Sequence, residues 1–339
     1  MKKIMLAGLF LVFLLTGANA GAAQLEKEGP QARDIKIYKK QMLSEDERKM
    51  IDVVKGKPAV DDKKVTVPTA WATGIGVPLP EGGKRYAIVA GLANYIGTTN
   101  DLCALSAQTS ATHPEEYLPD NPKYYCQDQD SLHMQEALTG YGFDEIILLR
   151  DYQATRLGIT NAMNSLSAAG KVTDSDEVVF FFSGHGVSGK IAGDKEVTDE
   201  AIFTYDGNYV WDNELKAWAD SLSSYRTVFA FDICLAGGMN DLAGTNRVVV
   251  MSSGETQSSY TYSLGGATLL DGTYLFSEGL FSHSFVVDGI NNGLADGVNS
   301  SKSSDGFVAV EEAFSYTYPI VKIKQTPVLN DVVLNDLIP

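Results

Sequence analysis

The fold is decided by the stretch EVVFFFSGHG at residues 177–186. Residues 178–182 are apolar throughout, which predicts a strand buried on both faces, as in a parallel sheet covered by helices. The run then stops at Ser183-Gly184-His185-Gly186. In sheets of this kind functional sites form beyond the carboxyl ends of the strands, so His185 stands where a site is expected.

Outward from this strand, short apolar runs alternate with longer segments of helical character. The predicted strands are Tyr86–Gly91, Glu145–Leu149, Glu177–Phe182, Thr227–Phe231, Arg247–Met251 and, at the edge, Val328–Leu334. The predicted helices are Asp130–Gly140, Thr155–Ala169, Asp212–Leu222, Thr273–Asp288 and Val310–Tyr316. This alternation predicts an α/β fold with a mainly parallel, roughly six-stranded sheet flanked by helices.

A second strand end carries a matching group of residues. The segment Asp232-Ile233-Cys234-Leu235-Ala236-Gly237-Gly238 follows the strand at Thr227–Phe231. If the two strands are neighbours, about 5 Å apart, the His185 imidazole and the Cys234 thiol converge. A histidine beside a cysteine stabilises the thiolate nucleophile and protonates a leaving amine. His185 and Cys234 are therefore the predicted catalytic pair, and the N–H groups of Gly186 and Cys234 are the predicted oxyanion hole.

Together the two strand ends resemble the caspase/metacaspase family, within the broader group that includes legumain and clostripain. In that family a strand ending in Ser-Gly-His-Gly precedes one ending in Asp-x-Cys, at a spacing close to the 49 residues between His185 and Cys234. The resemblance covers residues 84–334 and implies a caspase-like three-layer sandwich and an endopeptidase that forms an acyl-enzyme. Metacaspases usually have Cys-His-Ser-Gly where this chain has Cys234-Leu235-Ala236-Gly237, which leaves the subfamily open.

The same resemblance implies a pocket for a basic side chain. Metacaspases that select arginine or lysine use two aspartates and a serine, which correspond here to Asp232, Asp130 and Ser183. Residues two apart on a strand share a face, so Asp232 borders the cleft that holds Cys234. Two carboxylates in one pocket suit a cationic side chain. The alternatives are a helix cap for Asp130 and a backbone-bonded turn for Asp232.

Other functions are compatible with these residues. An asparaginyl specificity like that of legumain stays open, and so does a transpeptidase, since an acyl-enzyme can react with an amine as well as with water. A non-catalytic binding module with a caspase fold is a further alternative, although the presence of both His185 and Cys234 argues against it. For an active enzyme, self-cleavage at Lys190, at Lys195 or within residues 21–82 is an additional hypothesis.

The N-terminal part of the chain differs from the rest. Lys2 and Lys3, an apolar run at residues 4–15 and Ala18-Asn19-Ala20 have the pattern of a cleaved signal peptide, so residues 1–20 predict export to the periplasm or the medium. Residues 21–83 are predicted to be a propeptide or linker with one helix at about Leu43–Val54. The predicted peptidase domain is 84–339.

Charge and hydropathy limit the partners. The formal net charge is −16, which repels nucleic acid and anionic lipid headgroups. No segment after the signal is apolar enough to anchor the chain in a membrane. The expected partner is a peptide or protein substrate with a basic residue before the cleaved bond. The choice between monomer and dimer stays open.

Three cysteines, Cys103, Cys126 and Cys234, are present. An odd number in an exported protein indicates one disulfide and one free thiol. Cys103 and Cys126 flank a polar insertion, so they are the predicted pair and Cys234 is the predicted free thiol. The alternative is that all three cysteines are reduced and unpaired.

A metal site is only weakly indicated. Ser301, Ser303, Asp305, Gly306 and Glu312 have the glycine and final glutamate of an EF-hand loop but lack acids at the first two ligand positions. A turn before the last helix is the alternative for this segment. We therefore predict no metal ligand and no required cofactor, while the resemblance leaves calcium activation open because some metacaspases need calcium.

Overall fold

In a computed structural model of the chain, the described residues are 29–55, 79–95, 100–102, 126–269, 272–298 and 304–333. The strands within these ranges are β1 Ala32–Tyr38, β2 Gln41–Met42, β3 Arg85–Gly91, β4 Cys126–Asp128, β5 Glu145–Arg150, β6 Glu177–Ser183, β7 Gly186–Ile191, β8 Asp199–Phe203, β9 Tyr209–Trp211, β10 Arg226–Asp232, β11 Arg247–Met251, β12 Tyr260–Leu269, β13 Gly272–Gly279 and β14 Val328–Asp331.

The helices in the same ranges are α1 Glu45–Lys55, α2 Asp130–Gly140, α3 Arg156–Leu166, α4 Asp212–Ser221, α5 Leu280–Ser282 and α6 Val310–Val321. A π-helical stretch, His283–Asn291, continues α5. Short 3₁₀ turns occupy Asp151–Gln153 and Ala236–Leu242. None of the helices among the described residues is both long and apolar enough to cross a membrane.

The central sheet confirms the predicted fold class. Its six strands have the order β14-β11-β10-β6-β3-β5. All neighbours are parallel except β14, which pairs antiparallel with β11 at the edge. The apolar run of β6 therefore lies at an interior position of the sheet, where both of its faces are covered.

Alternating residues of β6 contribute to two separate cores. Phe180 and Phe182 belong to a core that also contains Trp218 of α4 and Met163 of α3. On the opposite face, Phe181 packs in a core with residues of α2, the π-helical stretch and α6. Because strand side chains alternate between faces, one strand serves both cores and the sheet becomes the middle of three layers.

The register of the parallel strands places the two sequence motifs side by side. Ser183, the last residue of β6, is paired with Asp232, the last residue of β10. On its other side Ser183 is paired with Gly91 of β3. His185 and Cys234 follow these paired ends by the same two residues, so both leave the sheet at the same edge.

The predicted helix at Thr273–Asp288 is wrong in its first half. Residues 272–279 form β13, which pairs antiparallel with β12, and helical structure begins only at Leu280. Pairing with a neighbouring strand stabilises a strand, and the pattern within one segment does not show that pairing. The dipeptide Asp271-Gly272 between two strand-like runs is a hairpin signal that the helix prediction overlooked.

Two smaller sheets include the N-terminal segment. One has the order β1-β7-β8-β9, and the other has the order β2-β12-β13-β4. The predicted helix near Leu43–Val54 is present as α1, but β1 and β2 were not predicted. Most of β1 is exposed, so its backbone pairing with β7 leaves no hydrophobic period in the sequence. The boundaries at 20 and 83 stay predictions, and residues 1–20 lie outside the described ranges.

Candidate active site

The His185 ring is held from two sides. Its Nε2 atom lies 2.6 Å from the carbonyl oxygen of Asn100, so Nε2 carries the proton and donates it. Tyr95 stacks on the ring with centroids 4.8 Å apart, and its hydroxyl accepts the His185 backbone N–H at 2.8 Å. This arrangement leaves Nδ1 as the acceptor nitrogen that faces the cleft.

Cys234 follows β10 and is buried. Its Sγ accepts the backbone N–H of Ser259 at 3.3 Å. The next residue, Leu235, has a left-handed φ of 61°, which turns the chain sharply. A Cβ at Gly186 would lie 1.9 Å from the Cys234 carbonyl oxygen, so only glycine fits there. The structure thus brings the backbones of Gly186 and Cys234, the two predicted oxyanion-hole residues, into contact.

The predicted pocket residues meet beside Cys234. The Ser183 hydroxyl donates to Asp130 Oδ2 at 2.5 Å. Asp232 Oδ2 accepts the backbone N–H and the hydroxyl of Ser282 at 3.1 and 2.8 Å. Asp130, Ser183 and Asp232 are all buried. Neither alternative for the aspartates describes them fully, because both carboxylates face the same enclosed space.

That space contains the side chain of Lys40, from the N-terminal segment. The Lys40 ammonium donates to Ser183 Oγ at 2.9 Å and lies 3.2 Å from Asp232 Oδ2 and 3.7 Å from Asp130 Oδ2. The lysine side chain is 0% exposed. Its backbone N–H donates to Nδ1 of His185 at 3.2 Å. One residue of the chain therefore fills the acidic pocket and covers the histidine.

Backbone and hydroxyl groups around the pocket hold its carboxylates in place. Ser259 Oγ donates to Asp232 Oδ1 at 2.9 Å. The backbone N–H of Gly279 donates to Asp130 Oδ1 at 2.9 Å. A Cβ at Gly279 would lie 2.0 Å from Asp232 Oδ2 and 2.8 Å from the Lys40 ammonium. The room for a long cationic side chain therefore depends on glycine at this position.

Burial sets the protonation of the two central groups. Desolvation raises the pKa of the Cys234 thiol to about 11, against the pull of the Ser259 N–H and the Lys40 charge. Desolvation also lowers the pKa of His185 to about 3, although the contact with Asn100 acts in the opposite direction. Thiol and imidazole are both neutral at pH 7 in this covered state, so they do not form a thiolate–imidazolium pair.

The pocket itself favours positive charge. Burial acts to lower the pKa of Lys40, but attraction from the carboxylates of Asp232 and Asp130 outweighs it, so the lysine pKa is raised. Burial raises the pKa of Asp130 to about 7, against the attraction of Lys40. An ammonium in this pocket keeps its charge because it has two carboxylates and one hydroxyl as partners.

A second acidic cluster lies away from this pocket, around the end of β7 and the start of β8. Within the described residues, two groups of carboxylates could hold a metal ion, Asp194 with Glu196 and Asp199, and Glu196 with Asp212 and Asp241. Burial and neighbouring carboxylates raise the pKa of nearby Glu200 to about 8. Several carboxylate oxygens crowded together fit a hard cation such as Ca²⁺. No metal ligand is predicted here from the sequence.

In its described part, the EF-hand-like segment uses its carboxylates for local hydrogen bonds. Asp296 accepts the backbone N–H groups of Asp305 and Gly306 at 3.0 and 3.1 Å. Glu312 accepts the backbone N–H groups of Ala309 and Gly297, both at 3.1 Å. These contacts are those of a turn that leads into α6. Ser301 and Ser303 lie outside the described residues.

The cysteines have different states. Cys126, in β4, is disulfide-bonded. Cys234 is a free thiol. Cys103, the predicted partner of Cys126, lies outside the described residues.

Several residues of the site were not predicted from the sequence. Lys40 lies in a charged stretch that gives no local sign of a buried role, and Tyr95 and Asn100 follow β3 in the sequence. Ser259 and Ser282 are common polar residues, and their role in the site depends on their contacts with Asp232. A signal for Tyr95 did exist, since the end of β3 is at the same sheet edge as His185.

Three comparisons relate the chain to known proteins. Residues 120–326 match the family model described as Caspase domain. A search among curated proteins finds no match. Among solved structures, the chain is similar to the crystal structure of a protein from Geobacter sulfurreducens, with a TM-score of 0.45 and 16% identity over 76% of this chain and 98% of that chain. The family match spans more than half of the chain and includes His185 and Cys234.

Proposed function

The chain belongs to the caspase domain family of cysteine peptidases, and from that premise we propose that it is an exported endopeptidase that hydrolyses peptide bonds after Lys or Arg. The observation that carries the proposed specificity is the Lys40 ammonium between Asp232, Asp130 and Ser183. A lysine side chain buried in the pocket has the charge and length that a substrate side chain needs. Membership in the family implies peptide or protein substrates, and the pocket supports a basic residue before the cleaved bond.

In the proposed mechanism, Cys234 is the nucleophile and His185 its partner. When substrate replaces Lys40, the thiol transfers its proton to Nδ1 of His185 and Sγ attacks the carbonyl carbon of the basic residue. The N–H groups of Gly186 and Cys234 stabilise the oxyanion. His185 then gives the proton to the leaving amine, the peptide C–N bond breaks and a thioester remains. Water, deprotonated by His185, hydrolyses the thioester and regenerates the thiol.

The test is cleavage of fluorogenic peptides that end in Arg, Lys, Asn or Asp. It uses the full chain and its Lys40→Ala variant, so that an occupied pocket does not conceal activity. Each is compared with a matching chain that carries Cys234→Ala. We expect turnover after Arg and Lys that is absent in both Cys234→Ala chains. Turnover that survives Cys234→Ala would assign the chemistry to another nucleophile.

The same assay separates the alternatives. Cleavage after Asn rather than Arg or Lys would favour a legumain-like specificity. Peptide ligation to an added amine that exceeds hydrolysis would favour a transpeptidase. No turnover by Lys40→Ala on any of the four peptides would favour a binding module with a caspase fold.

We propose calcium as an activator, bound by carboxylates of the cluster that includes Asp199, Asp212 and Asp241. A bound cation would supply positive charge between the end of the β7–β8 hairpin and the turn at Ala236–Leu242, which follows Cys234. The support is the crowding of these carboxylates, and burial raises the pKa of one of them, Asp212, to about 7. Isothermal titration of the full chain with Ca²⁺ and with Mg²⁺ tests the site directly, and no binding of either ion would contradict it.

We propose export on the basis of residues 1–20 and the disulfide at Cys126. Disulfides persist in oxidising compartments outside the cytosol. The measurement is the N-terminal sequence of the mature protein, which is expected to begin at Gly21. An intact Met1 on the protein recovered from cells would contradict the signal peptide.

A further inference from the structure

The N-terminal segment passes through the cleft from the His185 side to the far side of Cys234. Before Lys40, β1 pairs antiparallel with β7, with Tyr38 opposite Gly186. After Lys40, β2 pairs parallel with β12, which starts beyond Cys234. The backbone N–H of Gln41 donates to the carbonyl oxygen of Ser259 at 2.9 Å. The segment is therefore anchored on both sides of the residue that fills the pocket.

A substrate must run in the other direction. In acyl transfer the histidine protonates the leaving amine, which belongs to the residue that follows the pocket residue. With Lys40 as the pocket residue, that amine would be the N–H of Gln41. Instead, the N–H of Lys40 itself faces Nδ1 of His185 at 3.2 Å, and the N–H of Gln41 faces Ser259. The backbone direction is reversed relative to a productive substrate.

The adjoining bond is no better placed for cleavage. If the Lys40 N–H were the leaving amine, the pocket residue would have to be Lys39. The side chain of Lys39 is exposed, while the side chain of Lys40 occupies the pocket. Cleavage needs one residue with its side chain in the pocket and the following residue with its N–H facing His185. Neither the Lys39–Lys40 bond nor the Lys40–Gln41 bond meets both conditions.

We infer that residues 38–42 are an intramolecular inhibitor bound in reverse, with Lys40 as its anchor, which holds the peptidase inactive without being cut at Lys40. This inference rests on the proposed function and extends it to regulation. Activation then requires that the segment leave the cleft, by a cut elsewhere or by displacement, rather than self-cleavage at the bond after Lys40. The neutral thiol and imidazole of the covered state agree with an enzyme at rest.

The first test is a charge reversal in the full chain. Lys40→Glu places a third carboxylate beside Asp130 and Asp232, so the segment is expelled while the pocket stays intact. A tethered segment competes at an effective concentration on the order of millimolar, so its release is expected to raise kcat/KM on an Arg peptide by about 10-fold or more. The matched control is Lys36→Glu, an exposed lysine on β1, which is expected to leave kcat/KM unchanged. Equal activity of Lys40→Glu and wild type overturns the inference.

The second test concerns direction. Wild type is incubated until any self-cleavage is complete, and its fragments are identified by mass spectrometry beside those of Cys234→Ala. A reversed segment predicts no fragment that begins at Gln41. A fragment that begins at Gln41 in wild type and is absent from Cys234→Ala would show forward binding, and it overturns the inference.

A third measurement does not depend on catalysis. In the Cys234→Ala background, the amides of Gln41 and Leu43, which donate to Ser259 and Thr261, are expected to exchange slowly with deuterium. Lys40→Glu is expected to remove this protection, and Lys36→Glu is not. Unchanged protection in Lys40→Glu overturns the docking. If Lys40→Glu removes the protection in this background, and Lys40→Glu that retains Cys234 turns over none of the peptides, the docking is supported and the peptidase function is overturned, so the two failures are distinguishable.

Discussion

At the scale of single residues, Lys40 supports the proposed specificity of the pocket. Its ammonium has one hydroxyl and two carboxylate partners, and all of them are buried. Charged hydrogen bonds inside a dry pocket are stronger than the same contacts at the surface. We expect the pocket to accept arginine as well, because a guanidinium supplies several donors in one plane.

The specificity prediction at this scale concerns Asp232. In the Lys40→Ala background, Asp232→Asn removes the carboxylate closest to the bound cation. Loss of one partner of a buried charge pair costs about 2–5 kcal/mol, so kcat/KM on Arg and Lys peptides is expected to fall at least about 30-fold. The measurement is steady-state kinetics on the same peptides.

Its control is Asp174→Asn in the same background, an exposed aspartate whose carboxylate accepts only the hydroxyl of Ser175 among the hydrogen bonds described. That variant is expected to match the parent. Circular dichroism must show that Asp232→Asn is folded. A folded Asp232→Asn with an unchanged preference for Arg and Lys would contradict the pocket assignment.

At the scale of elements, the junction of β13 and α5 forms one wall of the pocket. Gly279→Ala adds a methyl group 2.0 Å from Asp232 Oδ2, a distance that forces the carboxylate or the backbone to move. Because Gly279 has an ordinary φ of −72°, the change acts through space and not through backbone strain. In the Lys40→Ala background we expect kcat/KM to fall by about 10²-fold, as is common when reacting groups are displaced by about 1 Å.

Gly140→Ala is the matched control. Gly140 ends α2, and nothing lies within 4 Å of the position of its added Cβ. Kinetics on an Arg peptide should be the same as in the parent. If Gly279→Ala also retained full kcat/KM, the junction of β13 and α5 would not limit the size of the pocket.

The acidic cluster at the start of β8 and of α4 predicts a dependence of stability on pH. The pKa of Glu200 is raised from 4.5 to about 8, so the folded protein binds a proton that the unfolded chain releases above about pH 4.5. The contribution of this proton to the stability of the folded protein is complete below pH 4.5 and is lost as the pH rises to about 8. Without calcium, Tm is therefore expected to decrease by a few degrees between pH 5 and pH 8.

Glu200→Gln tests the source of this dependence. A glutamine cannot titrate, so part of the decrease in Tm should disappear. Glu136→Gln, at an exposed position on α2, is the control and should keep the full decrease. Added Ca²⁺ should raise Tm more at pH 8 than at pH 5, because more carboxylates are ionised. Identical profiles for all three chains would assign the pH dependence to other groups.

At the scale of the whole molecule, the disulfide at Cys126 stabilises the fold by limiting the unfolded chain. Cys126→Ser is expected to lower the free energy of unfolding by about 2–4 kcal/mol. Urea unfolding with and without a reducing agent measures this loss. Reduced wild type should resemble Cys126→Ser, and the variant itself should not respond to the reducing agent. A variant as stable as oxidised wild type would show that the bond contributes nothing.

The central sheet could be predicted because its signals are local. The run Val178–Phe182 has no polar residue to face water, so it fits only an interior strand. The hairpin of β12 and β13 has a weaker local signal, the dipeptide Asp271-Gly272, which the helix prediction overlooked. The residues of β13 are compatible with either state, and pairing with β12 decides between them.

From the sequence alone, the fold class and the sheet edge at which His185 and Cys234 both lie could be determined, whereas their catalytic pairing stays a prediction. The apolar strand runs and the helical segments between them are short-range patterns, and those patterns are strong here. The occupant of the pocket and the direction of the chain through it were decided only by the tertiary structure. Lys40 contacts Ser183 and His185 across 143 and 145 residues. An exposed, charged strand that docks through backbone hydrogen bonds and one buried charge leaves no periodic signal, because its partners exist only after the sheet has formed.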